Sequence, residues 1–215
     1  MVERRVIIEL SLLAVLTVVF LLVFPERPMR VEVGLSLFAL TLLLLNLRYT
    51  KYVIWKPFPC VWDRRFRLRK ALLLVGAVTG LAVIGLFVGG LLLGGRAEGW
   101  EMAAQRVGNW RVLLAFALFF PWALLQQTLF QFYLLGRLLT LFPASIAITC
   151  TGITYGLVHL PDIGVTLATT VAGIVWTYVY YRVLSPLAFS HALLGTLFYY
   201  WIYGRDLAKE WAVGL

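Results

Sequence analysis

The chain has 215 residues, of which 62% are hydrophobic and 13% are charged, and its mean hydropathy is +0.90. A soluble domain of this length is usually about half apolar and about a quarter charged, so the composition excludes an ordinary soluble domain. The formal net charge is +9, but no nucleic-acid-binding motif accompanies the basic residues, and we expect no nucleic-acid partner.

Long apolar runs follow one another along the chain, and a helix of roughly 20 apolar residues crosses a ~30 Å hydrocarbon layer. The runs show no barrel-type alternation, so only helices would satisfy the backbone inside lipid. The fold class is therefore expected to be all-α, a polytopic transmembrane helical bundle in a single membrane domain over 1–215. We predict seven spans, with six or eight as alternatives: 6–24, 31–47, 71–95, 111–136, 144–160, 163–181 and 186–203.

The basic residues predict how these spans are oriented. Lys and Arg are concentrated in the stretch 48–70, between the second and third of the three N-terminal spans, which together occupy residues 1–95. Cytoplasmic loops carry such an excess, so this stretch and the N-terminus are expected to be cytoplasmic, and the polar, Trp-containing loop 96–110 to lie outside. Trp and Phe side chains interleave with the cations of 48–70, which favours contact with lipid headgroups. We expect an integral protein of the plasma, or inner, membrane.

Neither the cysteines nor the glycines indicate a cofactor site. The two cysteines and two histidines match no zinc template, and we expect no metal ion and no cofactor. The third span is rich in glycine and contains G-x-x-x-G steps, which let another helix approach closely. This pattern favours packing within the chain first and dimerisation second. The glycines are Gly76, Gly80, Gly85, Gly89, Gly90 and Gly94.

Polar side chains at membrane depth are costly, and by default they indicate a functional site. Glu9, near the predicted cytoplasmic end of the first span, is accounted for by snorkelling or by pairing with Arg5 at i, i−4. The others lie on three of the predicted spans, the fourth, the fifth and the last, which favours one shared cavity. They are Gln126, Gln127, Gln131, His159 and His191, with Tyr155 on the face of His159 and Ser190 just before His191.

Three motifs carry these residues in a fixed order: QQTLFQ (126–131), YGLVH (155–159) and HALLG (191–195). This order resembles the CPBP family of intramembrane proteases, which includes the type II CAAX prenyl endopeptidases and the bacteriocin-processing, Abi-like proteins. The family pattern is E-E-x-x-x-R, then F-x-x-x-H, then H-x-x-x-N or H-x-x-x-D. The resemblance covers about residues 117–200 and implies that 111–203 is a CAAX-protease-like core.

The resemblance also implies a mechanism and shows where this chain departs from it. In the family, a first-motif glutamate activates water with help from the second-motif histidine, and the third-motif His and Asn stabilise the oxyanion. Here Gln126 and Gln127 replace the glutamates, Gln131 replaces the arginine and Gly195 replaces the asparagine. An amide accepts no proton at physiological pH, so neither glutamine can be the general base. The three neutral amides are expected to keep lining a polar cavity.

Another base can take over within the same set of residues. The imidazole of His159 has the right chemistry, and Asp162, three residues on, can orient it. His191 can polarise a carbonyl beside the amide N–H groups of Gln126 and Gln127. A metal site is disfavoured, because two His and one Asp from separate helices are few ligands.

Two classes of function stay open. The first is an intramembrane endopeptidase that performs CAAX-type proteolysis of a membrane-anchored or lipidated peptide with an altered site. The second is an inactive pseudoprotease that binds a membrane peptide or lipid in the same cavity as a scaffold or regulator. A transporter ranks third, because neither a charged relay nor paired broken-helix repeats are present. In each case the partners are the bilayer and a membrane-embedded or lipidated protein.

Overall fold

The computed structural model describes residues 2–23, 68–183 and 188–206, together with Leu37 and Thr41. The predicted span 31–47 and the basic stretch 48–70 lie almost entirely outside these residues, so the orientation drawn from them stays a prediction. The chain divides into two compact units. The first unit is Met1–Arg67 with Gln126–Leu184, and the second is Leu68–Leu125 with Ser185–Leu215.

All regular secondary structure in the described residues is helical, in agreement with the predicted fold class. Two segments are π-helical, with hydrogen bonds that run from residue i to residue i+5. In chain order the elements are α1 (Val2–Val23), α2 (Leu68–Glu98), α3 (Trp100–Val107), α4 (Arg111–Gln127), π1 (Thr128–Leu134), α5 (Leu135–Leu138), α6 (Ala144–Leu157), α7 (Ile163–Val183), α8 (Ala188–Leu197) and π2 (Phe198–Ile202).

Within the described ranges, three helices are long and apolar enough to cross a membrane: Leu72–Glu98, Arg111–Leu138 and Ile163–Arg182. Two shorter apolar helices, Val6–Val19 and Ala144–Leu157, accompany them. These helices correspond to five of the predicted spans, with ends that differ by a few residues. The total of seven spans stays a prediction.

The predicted polar loop 96–110 contains a short helix, α3, that was not predicted. Ala103 of α3 is fully buried, and a Cβ atom at Gly94 of α2 would lie 3.1 Å from the Ala103 Cβ atom. Arg106 pairs with Glu98 at 2.6 Å. The helix forms because its small side chain fits against α2 and this ion pair stabilises the turn between them.

In the first unit, two glycines four residues apart on one face of α6 let it approach the backbone of α7. A Cβ atom at Gly156 would lie 2.8 Å from the carbonyl oxygen of Thr166. A Cβ atom at Gly152 would lie 2.5 Å from the backbone nitrogen of Ile174. Contacts this short do not occur for real Cβ atoms, so both positions require glycine. The close packing places the turn after α6, which carries His159, against the first half of α7.

Gly156→Ala should therefore destabilise the protein by about 1–3 kcal/mol, the usual cost of overpacking. Gly76→Ala is the matched control, because a Cβ atom at Gly76 of α2 would meet nothing within 4 Å. The measurement is thermal unfolding of both variants in the same lipid or detergent. Equal loss of stability in the two variants would contradict the tight α6–α7 contact.

In the second unit, α2 packs against π2 through glycine, which confirms the predicted packing within the chain for one portion of α2. A Cβ atom at Gly90 would lie 2.9 Å from the Trp201 Cβ atom. Leu197, Tyr200 and Trp201 form a buried cluster beside this contact. The helix that carries His191 is thereby anchored to α2 at its C-terminal end.

Candidate functional site

The glutamines of the first motif lie in the first unit, at the junction of α4 and π1. Gln127 and Gln131 are 7% and 4% exposed, so both amides are buried. Gln126 is partly buried, and its Oε1 atom has no hydrogen-bond partner among the described residues. Leaving a buried acceptor unsatisfied costs about 1–3 kcal/mol, which is typical of a site that serves a ligand or a water molecule.

The π-helical segment was not predicted from the sequence, and it changes the geometry of this motif. In a regular α-helix each residue turns by about 100°, so residues five apart point to different faces. A π turn closes from i to i+5 and brings such residues toward one face. Gln126 and Gln131 have this spacing across the start of π1. Their family counterparts, a glutamate and an arginine, have the same spacing.

His159 lies in the turn that follows α6, and its ring is held at Nδ1. The Nδ1 atom is 2.9 Å from the carbonyl oxygen of Tyr155 and 3.3 Å from the Thr169 hydroxyl oxygen. The Thr169 hydroxyl itself donates to the carbonyl oxygen of Val165 at 2.7 Å. Both neighbours of Nδ1 are therefore acceptors, and Nδ1 must carry the proton. In the neutral ring the lone pair is then on Nε2, as a general base requires.

Aromatic rings connect the first and second motifs. The Phe130 ring of π1 meets the Tyr155 ring edge-on, with centroids 5.1 Å apart. Tyr155 in turn meets the His159 ring, with centroids 5.3 Å apart. The predicted shared face of Tyr155 and His159 is thus present, and it packs on the segment that carries Gln131.

Asp162 caps the start of α7 with one carboxylate oxygen, and its predicted role in orienting His159 stays a prediction. Its Oδ1 atom accepts a hydrogen bond from the backbone N–H of Val165 at 2.9 Å, which caps the start of α7. Tyr155 and Thr169 hold the ring of His159 at Nδ1.

Sequence reasoning missed a buried charge cluster in this unit. Arg137 is 1% exposed, and its Nε atom donates to Glu9 Oε2 at 2.7 Å. Glu9 thus has a cation other than Arg5, whose side chain lies outside the described residues. The predicted span ended at residue 136, so Arg137 was not counted as intramembrane, whereas the helix continues to Leu138. The sequence signal for this buried arginine was its position directly after an apolar run.

The third motif lies in the second unit, on α8. The His191 ring meets the Phe119 ring edge-on, with centroids 6.1 Å apart. Ser190 is buried, and its hydroxyl shares a hydrogen bond of 2.5 Å with the Thr79 hydroxyl of α2. This bond gives Ser190 a helix-to-helix role in the second unit.

Phe119 also fills the space beside Gly195. A Cβ atom at Gly195 would lie 2.6 Å from Cε1 of the Phe119 ring. A side chain such as the family asparagine would need Phe119 to move. The Phe119 ring thus lies where the side chain of the family asparagine would project from position 195.

The predicted site residues therefore fall into two groups, one in each unit, which we call half-sites. The first contains Gln126, Gln127, Gln131, Tyr155 and His159, and the second contains Ser190, His191 and Gly195. Their convergence on one cavity stays a prediction. Among the described residues, no group of three or more His, Cys, Asp or Glu side chains is placed to hold a metal ion.

Comparison with known proteins places both half-sites in one family region. Residues 108–197 match the family model of the type II CAAX prenyl endopeptidase Rce1-like proteins. No curated protein and no solved structure matches the chain. With the apolar helices, the match indicates an integral membrane protein whose residues 108–197 are similar to CAAX-type proteases. The resemblance to the CPBP family that the three motifs indicate is therefore confirmed, and it lies in residues 108–197.

Proposed function

We propose that the chain is an intramembrane endopeptidase that cleaves a membrane-anchored or lipidated peptide, with His159 as the general base in place of the family glutamate. The observation that carries this proposal is the environment of the imidazole. Two acceptors, the Tyr155 carbonyl oxygen and the Thr169 hydroxyl oxygen, lie at Nδ1 and leave the lone pair on Nε2. The family match supports peptide hydrolysis as the reaction.

In the proposed reaction, Nε2 of His159 takes a proton from water while the water oxygen attacks the scissile carbonyl carbon. The resulting oxyanion accepts hydrogen bonds from the side-chain amides of Gln126 and Gln127. His159 then returns the proton to the leaving nitrogen as the C–N bond breaks. The Gln126 Oε1 atom, buried without a described partner, is suited to hold the attacking water.

The proposed setting is a bundle of about seven spans in the plasma, or inner, membrane, with the N-terminus in the cytoplasm. The concentration of Lys and Arg in 48–70 supports this orientation. The proposed partners are the lipid bilayer and a peptide that carries a lipid or a membrane anchor. Such a substrate reaches a site inside the bilayer by lateral diffusion.

The test compares the termini of membrane proteins, by mass spectrometry, in cells with and without this chain. We expect at least one anchored or lipidated protein to lose a terminal peptide only when the chain is present. Expression of the chain from a plasmid in the deleted cells should restore the shortened terminus. Identical termini in all three samples would overturn the proposed hydrolysis.

A second candidate function rests on Phe119. Its ring occupies the space beside Gly195, where the family asparagine would project. With the glutamates also replaced, the alternative proposal is that the chain binds a membrane peptide or lipid without cutting it, as a pseudoprotease. Identical termini together with co-purification of an anchored protein would favour this candidate over the enzyme.

A further inference from the structure

The buried pair Glu9–Arg137 joins helices that are far apart in the sequence. The two residues are 128 positions apart, and the Nε···Oε2 distance is 2.7 Å. The Tyr133 hydroxyl donates to the same carboxylate oxygen at 3.1 Å. The Arg137 guanidinium also lies over the Tyr133 ring, 4.9 Å from its centroid. One carboxylate of α1 therefore holds two side chains of the π1–α5 segment.

The Glu9–Arg137 ion pair is less exposed than the ion pairs Glu98–Arg106 and Asp206–Arg111. Glu98 pairs with Arg106 next to it in space, and Asp206 pairs with Arg111, which is 44% exposed. In contrast, the side chains of Arg137 and Glu9 are 2% and 14% exposed. Burying an ion pair carries a large desolvation cost and is weak evidence for a purely stabilising role. Charged groups inside a bundle are more often tied to function.

The residues that Glu9 holds belong to the same segment as the first motif. Tyr133 lies in π1, two residues after the buried Gln131 and three residues after Phe130. The Phe130 ring packs on Tyr155, and Tyr155 packs on His159. A displacement of π1 would therefore shift the His159 imidazole through the Phe130–Tyr155 and Tyr155–His159 ring contacts.

A π-helical turn needs such external support. Its hydrogen bonds are less favourable than those of an α-helix, and single π turns within α-helices are frequent at functional sites. The contacts made by its side chains must offset this cost. In π1 those contacts include the bond from Tyr133 to Glu9.

We propose that Glu9 is a positioning residue of the candidate site: through Tyr133 and Arg137 it holds π1 in place, and π1 holds the Tyr155–His159 pair. This inference rests on the proposed site at His159, but it does not require that the site hydrolyses peptides. It assigns a role to α1, which lies outside the region that matches the family model.

The test uses the fact that the chain has two histidines. The full chain, labelled with ¹⁵N-histidine and placed in phospholipid nanodiscs, gives imidazole signals from His159 and His191. The His191→Gln variant assigns the His159 signals. We expect Glu9→Gln to move or split the His159 signals, because π1 loses its charged anchor. Thr17→Val is the matched control on α1, since the Thr17 hydroxyl bonds to Leu13 of its own helix, and it should leave these signals unchanged.

Unchanged His159 signals in folded Glu9→Gln protein would overturn the inference. If Glu9→Gln does not fold, Glu9→Asp keeps the charge but shortens the side chain, and it should shift the His159 signals. Unshifted signals in that variant count against the inference equally.

A second readout separates the inference from the proposed function. If the chain cleaves a lipidated peptide in vesicles, Glu9→Gln should lower kcat by up to about 10²-fold with a smaller change in KM, as misplacement of a reacting group does. Equal kcat in Glu9→Gln and in Thr17→Val would overturn the inference even though the chain is an enzyme. If the parent cleaves nothing, the proposed hydrolysis fails, and the histidine signals alone decide the role of Glu9.

Discussion

Replacement of His159 by alanine should reduce peptide cleavage by on the order of 10²–10⁴-fold, the usual contribution of a general base. The family glutamates are absent, and no ionisable side chain remains at positions 126, 127 or 131. Proton removal from water therefore depends on the imidazole, whose Nε2 carries the lone pair because Nδ1 faces two acceptors. The measurement is single-turnover cleavage of a lipidated peptide by the purified chain in vesicles.

Thr169→Val is the matched control for this variant. It removes one of the two acceptors at Nδ1 and keeps the shape of the side chain, while the Tyr155 carbonyl oxygen remains at 2.9 Å. We expect a loss of activity well below that of His159→Ala. Robust cleavage that is insensitive to His159→Ala would exclude both the proposed mechanism and the pseudoprotease alternative.

Restoring the family charges should have the opposite effect if the chain is a pseudoprotease. The double variant Gln126→Glu with Gln131→Arg rebuilds a carboxylate and its cation at the spacing that π1 supports. A carboxylate base restored at position 126 should then raise cleavage by on the order of 10²–10⁴-fold over an inactive parent. The same peptide assay measures this gain.

The single variants are the controls for this restoration. Gln131 is 4% exposed, so Gln131→Arg alone places an unpaired charge in a buried position. Breaking a buried pair typically costs about 3–5 kcal/mol, and each single variant should lose stability on that scale. The double variant should recover most of the loss in thermal unfolding. If the double variant is no more stable than the less stable single variant, positions 126 and 131 do not face each other.

If the folded double variant still cleaves nothing, the altered third motif is a remaining difference from the family pattern. Gly195→Asn alone should be poorly tolerated, because its Cβ atom would lie 2.6 Å from the Phe119 ring. The restoration then needs a smaller side chain at position 119 as well.

The sequence predicted those features that depend on residues close together in the chain. Hydropathy over about 20 residues locates a span, because burial in lipid is a property of one helix at a time. The close approach at Gly152 and Gly156 follows from their spacing on one helix face, and the Tyr155–His159 contact follows from i, i+4 geometry. The motif order also identified the family, because each motif is a local pattern.

Other features of the candidate site depend on contacts between distant segments, and a local sequence pattern does not predict such contacts. The π-helical turn at Thr128–Leu134 is unfavourable by itself, so it requires tertiary contacts. The sequence of the turn does not predict those contacts. The absence of a side chain at Gly195 has meaning only beside the ring of Phe119, which is on another helix.

Glu9 illustrates the difference between what the sequence predicts and what the tertiary structure decides. By sequence alone, the nearest cation was Arg5, one turn away on the same helix. In the structure its partner is Arg137, 128 positions further along the chain. The sequence by itself determined that the Glu9 carboxylate must either snorkel to the interface or pair with a cation, since an unpaired buried charge is too costly. Only the tertiary structure decided which cation, because that choice depends on which helices pack together.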